Sequence, residues 1–485
     1  MRTPLVGSGA PPLPAVKLTF WGAAQTVTGS QHLVEVAPDG AASGTLLLDC
    51  GLFQGRREDA RRINREFATP PEAVDAVVLS HAHIDHAGLL PRLWREGFRG
   101  TVYATHATRD LCALMLRDSG YIQEKDADFF NRKIRKKGQE PVEPLYTEED
   151  AAGVMAHFVS LDYGAPFRPL AGVTCVFRDA GHILGSATVT LTVTEGGREK
   201  SLGFTGDLGN PGRPILRDPA PMPPVDALIA ESTYGGREHE PVDQAKARLG
   251  EVVRRTAARG GRVVIPAFAV GRTQELVYNL DQLENEGALP PVPVFVDSPL
   301  AVNATEIFRQ HPECYDSELL AYLREDPNPF GWERLEYVRK AARSKELNDM
   351  TAPYVVISAS GMAEHGRILH HLRHTVSDPR STVLIVGYQA EHTLGKRLVE
   401  RRDEVRIFGK THRRKMDVEV MNTFSAHADE PGLVRWIGDL DRQRLQRTFL
   451  VHGDPERQAK LTSALEGAGV GGRVSAPARG ESVVL

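Results

Sequence analysis

The stretch His81-Ala82-His83-Ile84-Asp85-His86 places four potential metal ligands, three imidazoles and a carboxylate, within six residues. It follows the apolar run Val77-Val78-Leu79. Such a run reads as a buried strand, so the cluster stands where a strand ends and a loop begins. Loops at strand ends carry chemistry because a rigid sheet aims them. Imidazole and carboxylate donors suit zinc, and a carboxylate can bridge two ions. The bland alternative is a polar surface turn with chance histidines, and the density of donors weighs against it.

The same logic of apolar strand followed by His or Asp finds three further places. Val173-Thr174-Cys175-Val176-Phe177 leads into Asp179-Ala180-Gly181-His182. Ser201-Leu202-Gly203-Phe204-Thr205-Gly206 ends at Asp207, and Arg447-Thr448-Phe449-Leu450-Val451 ends at His452-Gly453-Asp454. Each alone is more often a turn residue or a satisfied core group. Taken with the first cluster, they complete the ligand set of a two-metal site.

These residues resemble the metallo-β-lactamase fold in its dinuclear zinc form. Glu231-Ser232-Thr233-Tyr234-Gly235, Phe424-Ser425-Ala426-His427 and Leu450-Val451-His452-Gly453 are similar to the three extra motifs of the β-CASP branch, the nucleases. Pro266 to Glu275 (Pro-Ala-Phe-Ala-Val-Gly-Arg-Thr-Gln-Glu) and Ser360-Gly361-Met362 are further marks of that branch. Cys50-Gly51-Leu52-Phe53-Gln54-Gly55 resembles the subgroup related to the endonuclease subunit of the pre-mRNA 3′-end cleavage machinery.

The resemblance implies an α/β fold: a metallo-β-lactamase αββα sandwich interrupted by an inserted β-CASP α/β domain with a mainly parallel sheet. It implies two Zn2+ per chain, one held by His81, His83 and His182 and the other by Asp85, His86 and His452, with Asp207 bridging. A bound metal lowers the pKa of water from about 15.7 towards roughly 7, so hydroxide is available at neutral pH. His427 is implied as the general acid, with Glu231 holding its ring in the right tautomer and Asp85 essential to catalysis. Hydrolysis by metal-bound hydroxide would leave a 5′-phosphate and a 3′-hydroxyl. His452 in the third motif favours single-stranded RNA over DNA, with internal cleavage favoured and 5′-exonuclease trimming as its companion. The resemblance also implies a homodimer, although no interface follows from the sequence.

Other positions are read from residue chemistry. Arg272 follows Gly271 just past an apolar run, and a guanidinium suits a bidentate phosphate contact. Ser360 and Gly361 end the run Tyr354-Val355-Val356-Ile357, where a glycine lets a backbone amide approach an anion. A structural turn or a helix-start arginine has equal weight for each. His365, His370, His371, His374 and His392 could line a cleft or sit on helix surfaces. The runs Arg132–Lys137 and Lys410–Lys415 are local basic patches that could guide a phosphate backbone or be solvated faces.

A chain of 485 residues exceeds what one hydrophobic core usually serves, so more than one domain is expected. The formal net charge of −4 excludes a generally basic nucleic-acid coat, so a phosphate-binding surface must be local. Cys50, Cys112, Cys175 and Cys314 are widely spaced and read as reduced thiols, which points to the cytoplasm. Pro11, Pro12 and Pro14 break any signal-peptide core, and no apolar run suits a membrane span. The expected division is a flexible N-terminus over 1–15, a first metallo-β-lactamase segment over 16–235, the insertion over 236–395 and a second segment over 396–485. Alternation of helix and strand after Tyr234 predicts the parallel sheet, with helices over Ala245–Ala258 and Arg272–Glu284. The rival functions are a small-molecule or DNA hydrolase of the same fold, a di-iron redox protein and a scaffold without catalysis. His83, which the redox version tends to replace by a carboxylate, and the full ligand set weigh against the last two.

Overall fold

Alternate side chains of the first strands point to two different cores, and this decides the layering. Leu46 and Leu48 join Val78, Phe177, Val189, Phe204, Ile229 and Phe449 in one buried cluster. Leu47 and Val77, one position away, join Leu90, Leu93, Leu111 and Val154 in another. A period of two places successive residues on opposite faces of a sheet. The sheet is therefore covered by a second sheet on one face and by helices on the other.

The computed structural model describes residues 16–37, 42–134, 141–195, 198–241, 244–351, 353–387, 389–390 and 392–485. The expected flexible segment 1–15 lies outside the described residues, as do Arg135, Lys136 and Lys137 of the first basic run. One seven-stranded sheet runs Glu481–Val484, Val16–Gly22, Gln31–Val36, Gly44–Leu48, Ala76–Val78, Thr101–Thr105, Phe158–Leu161. The other runs Arg473–Ser475, Arg447–Val451, Ala227–Glu231, Arg198–Phe204, Ala187–Glu195, Val173–Asp179, Pro166–Leu170. Helices Leu90–Arg95, His106–Ile134 and Glu148–Met155 cover the outer face of the first. Helices Glu430–Gly438 and Pro455–Ala468 cover the second through Leu433, Ile437, Leu461 and Leu465 against Leu228, Ala230 and Leu450. This is the expected αββα sandwich.

A third sheet of six strands is parallel throughout, in the order Leu335–Tyr337, Val294–Val296, Tyr354–Ala359, Arg262–Ala267, Thr382–Ile385, Asp417–Val420. Val263 and Ile265 face the helices Ala245–Ala258 and Arg272–Asn285. Val264 and Val356 face Ile368, Leu372, Leu394 and Leu398. Parallel strands need crossover connections, and these helices supply them.

The expected return to the sandwich near Gly395 needs correcting. Asp417–Val420 pairs with Thr382–Ile385 as the edge of the inserted sheet. The hairpin Glu404–Ile407 and Lys410–Arg413 buries Val405 and Ile407 in the same core as Leu394 and Leu398. Those apolar residues need the inserted sheet's helices to exclude water, so the chain re-enters the sandwich only after Val420.

The core on the helical side of the first sheet continues into the inserted unit, from Leu111 through Ile183 and Ile215 to Phe308 and Leu319. All four cysteines are buried and free. Among the described residues, no helix is long and apolar enough to cross a membrane.

Candidate active site

Four strands deliver the site from their C-terminal ends. In the second sheet, Arg198–Phe204, Ala227–Glu231 and Arg447–Val451 are neighbours in parallel register, with Phe204 beside Ile229 and Glu231 beside Val451. The residues that follow, Asp207 and His452, therefore emerge at the same edge as Glu231. In the first sheet Ala76–Val78 ends just before His81. The loop after Gly44–Leu48 ties down the ligand segment: Cys50 N donates to His86 O at 2.8 Å and Leu52 N to Ile84 O at 2.9 Å. Gly51 is required there, because a Cβ at that position would stand 1.7 Å from the carbonyl oxygen of Asp85.

The candidate ligand atoms form two groups that meet at one carboxylate. His81 Nε2 lies 3.1 Å from His83 Nδ1, which lies 3.2 Å from His182 Nε2. Asp207 Oδ2 is 3.5 Å from both His81 Nε2 and His182 Nε2. The other oxygen, Oδ1, is 3.2 Å from His86 Nε2 and 3.5 Å from His452 Nε2. Asp85 Oδ2 is 3.5 Å from His452 Nε2. Asp207 thus turns one oxygen to each group. The sets His81, His83, His182, Asp207 and Asp85, His86, His452 each gather within 4.8 Å, close enough to hold a metal ion.

Surrounding hydrogen bonds select the tautomers, and the donor set fits a metal. Ser80 Oγ donates to Asp49 Oδ2 at 2.9 Å, so at 3.0 Å it accepts from His81 Nδ1. Asp49 Oδ2 also accepts from His86 Nδ1 at 2.7 Å. Thr233 Oγ1 donates to the His452 carbonyl and accepts from His452 Nδ1, both at 3.0 Å. In each imidazole the Nδ1 hydrogen bond points outward and Nε2 faces the site. The Nε2 atoms of His86 and His452 lie 3.1 Å apart. Burial opposes charge on His86, but the Asp207 and Asp49 carboxylates outweigh it and raise its pKa well above the ordinary histidine value, so the site draws positive charge to this position. Asp207 Oδ1 is buried without a hydrogen-bond partner, a costly state that a cation relieves.

In the first group the electrostatics agree with a metal site. Burial and the neighbouring imidazoles hold His81 and His182 well below the ordinary histidine value, and burial lowers His83 to about 4. These rings are neutral, as ligands must be. Burial works against the charge of Asp207, yet His452, His86 and His427 hold its carboxyl well below the usual range. His452 adopts φ +53° and Asp49 φ +62°. Such strained conformations persist where surrounding structure over-determines them.

His427 stands beside this cluster with a different partner. Its Nδ1 is 3.1 Å from both oxygens of Glu231, and its Nε2 is 3.8 Å from Asp207 Oδ2. Burial opposes its charge, but the Glu231 and Asp207 carboxylates outweigh it and raise the pKa to about 9. Glu231 is fully buried and is held in turn by the backbone amide of Leu208 at 2.7 Å. The pairing of residues 231 and 427, which spacing alone does not reveal, is thereby present in the folded chain.

A small cleft of roughly 60 Å³ opens beside His83 and His182, lined also by Arg213, Phe268, Gly271 and Arg272. Arg272 reaches it but is not free: its Nη1 donates to Glu275 Oε2 at 2.6 Å and its guanidinium lies over Phe424. Arg213, not singled out in the sequence, pairs with the same carboxylate and with the Ser425 carbonyl. Ser360 and Gly361 do not line the cleft. Ser360 Oγ accepts from Glu364 N at 3.4 Å, and Gly361 lies against the ring of Phe268.

Of the five further histidines, His371 is buried against Asp297 at 2.7 Å, and none lines the cleft among the described residues. In the second basic patch Arg414 is committed to the carbonyls of Arg401, Arg402 and Met416. Sequence reasoning missed Asp49 and Thr233 as ligand-orienting residues. The signal for Asp49 was its place at the end of an apolar strand, the criterion that found Asp207.

Comparison with known proteins finds the same three parts, with the first match running to residue 266, into the inserted sheet, and the second ending at 398, before that sheet's last strand. Three family models match in succession: the metallo-beta-lactamase superfamily over residues 29–266, the Beta-Casp domain over 273–398 and the Zn-dependent metallo-hydrolase RNA specificity domain over 411–477. The chain is 37% identical over 450 residues to Ribonuclease TTHA0252 of Thermus thermophilus, covering 93% of this chain and 96% of that one. It is 34% identical over 402 residues to Transcription termination factor FttA of Pyrococcus abyssi, covering 81% of this chain and 59% of that one. With FttA of Thermococcus kodakarensis the identity is 33% over 467 residues, covering 93% and 68%.

Proposed function

The chain belongs to the metallo-β-lactamase-fold β-CASP ribonucleases, and from that premise we propose that it is a dinuclear zinc ribonuclease acting on single-stranded RNA. Internal cleavage is its main mode, with trimming from the 5′ end as an accompaniment, and the products carry 5′-phosphate and 3′-hydroxyl ends. The observation that carries this reading is Asp207, whose two oxygens face two separate imidazole groups. His81, His83 and His182 would hold one zinc and Asp85, His86 and His452 the other. Bound there, the ions would supply a hydroxide at neutral pH and neutralise charge developing on the phosphate oxygens.

The chain's own residues supply the rest. Asp49, Ser80 and Thr233 fix the rings of His86, His81 and His452 so that one nitrogen of each faces inward. His427, kept protonated by Glu231, delivers its Nε2 proton to the departing 3′ oxygen. Glu231 fixes the ring through Nδ1 and so determines which nitrogen gives up the proton. Arg213 and Arg272 share one carboxylate, which leaves net positive charge in the cleft for the RNA backbone.

RNA digested in heavy-oxygen water tests the reaction. Label in the 5′-phosphate of the product is expected. A 2′,3′-cyclic phosphate on the other fragment would mean that the ribose hydroxyl is the nucleophile, and the proposed chemistry would be wrong.

A further inference from the structure

Phe268 is about half exposed, at 49%, although the chain on either side of it is fixed. It follows the buried strand Arg262–Ala267 directly. Its carbonyl accepts hydrogen bonds from Thr273 Oγ1 at 2.7 Å and Thr273 N at 3.3 Å. Single exposed apolar residues are ordinary on protein surfaces and need no explanation. This one lines the same cleft as His83, His182, Arg213 and Arg272. A rigidly mounted aromatic ring beside metal ligands and guanidinium groups is placed to meet a substrate.

The ring's support is equally specific. Gly361 lies beneath it, and a Cβ there would stand 3.0 Å from Phe268 Cε2 and 3.1 Å from Cδ2. Absence of a side chain at that position lets the ring rest against backbone. Gly361 therefore reaches the cleft through Phe268, without touching an anion itself.

We propose that Phe268 is a stacking platform for a base flanking the scissile phosphate, an assignment that rests on the ribonuclease reading above. Every base has an aromatic face, so the platform tolerates sequence. In a duplex those faces are covered by stacked neighbours and the strand is constrained by pairing. Phe268 accordingly selects unpaired, splayed nucleotides, which is how sequence and structure are read in single-stranded RNA. The neighbouring arginine pair meets the backbone, the ring meets the base, and together they set the register of the strand over His83 and His182.

The test uses the zinc-loaded full chain, a single-stranded RNA with one preferred cut, and versions of that RNA with an abasic ribose at each position in turn. Phe268→Leu keeps apolar bulk and removes the aromatic face, while Phe268→Trp keeps a face. The expected result is a rise in KM of about 5- to 150-fold for Phe268→Leu, with kcat and zinc content near wild type. Phe268→Trp restores KM. On wild type, one abasic position next to the cut reproduces the loss, and that position costs Phe268→Leu nothing further. An unchanged KM in Phe268→Leu, or an abasic penalty at that position equal in both proteins, overturns the platform and leaves the ribonuclease reading intact. A wild type that leaves the RNA uncut with zinc bound overturns the ribonuclease reading, and the platform with it.

Discussion

Asp49 Oδ2 accepts a 2.7 Å hydrogen bond from His86 Nδ1, and both side chains are sealed from water. The same carboxylate takes hydrogen bonds from Ser80 N, Ser80 Oγ and Ser30 Oγ. The carboxylate is thus held from several sides, which fixes the direction in which it meets His86. It orients His86 and, with a metal bound at the proposed site, would make its Nε2 a better ligand. Asp49→Asn would direct an amide N–H at one of these donors. Metal affinity should fall about 10- to 100-fold, read by competition with a chromogenic chelator. Wild-type affinity in the variant would remove Asp49 from the site.

His427 and Glu231 make a separable prediction. His427→Ala should lower kcat by about 100- to 10,000-fold with metal content unchanged. Loss of an ion would make His427 a ligand and the acid assignment wrong. In Glu231→Gln the carboxylate that helps raise His427 is gone. His427 acts while protonated, so kcat falls as pH rises through its pKa. That alkaline fall should move to lower pH in Glu231→Gln, and an unmoved profile would deny the coupling.

Glu275 sits between two arginines that are themselves only 8% exposed. Removing a partner from a buried ion pair leaves an uncompensated charge, at a cost of roughly 3–5 kcal/mol. Glu275→Gln should lower the denaturation midpoint correspondingly in urea. An unchanged midpoint would mean that Arg213 and Arg272 reach solvent without Glu275.

Asp179, at the end of the strand leading to His182, should make stability depend on pH. Burial raises its carboxyl to about 7, against the opposing pull of the Gly181 amide and Arg217. The ordinary value is 3.8, so between the two the unfolded chain has released a proton that the folded chain keeps. The group's contribution to stability is therefore greatest in acid and is lost as pH rises through that window, at about 1.4 kcal/mol per unit. Asp179→Asn keeps an acceptor for Gly181 and does not titrate. Its thermal midpoint relative to wild type should rise between about pH 4 and pH 7. Parallel curves would contradict the shift.

What the sequence discloses here follows from the period of its strands. His81, His182, Asp207 and His452 each end an apolar run, so both strand and ligand are legible together. The fold class was implied by the family resemblance of the motifs at those runs, and the helix–strand alternation after Tyr234 independently indicated the parallel sheet. Asp49 was passed over because its partners Ser30, Ser80 and His86 come from other segments that only the fold brings together. Thr233 lies in a quoted motif, but its contact with His452 depends on the parallel register of Glu231 with Val451. Arg272 looked free as a phosphate ligand, whereas its i+3 neighbour Glu275 claims it on the first helical turn. The late return to the sandwich was hidden for another reason. Residues 404–420 carry short strands and a basic run that does not indicate which unit they belong to, and only their pairing and packing assign them to the inserted unit.

The central claim, a two-metal centre that cuts RNA, has one direct measurement. Zinc-loaded protein is given matched single-stranded RNA and DNA oligonucleotides, each blocked at the 5′ end and labelled internally, with Asp85→Ala as the control. Internal cuts in RNA alone, with two ions per chain in wild type and near-complete loss of cutting in a folded Asp85→Ala, are the predicted result. Wild-type turnover in Asp85→Ala, or intact RNA with two ions bound, would contradict it.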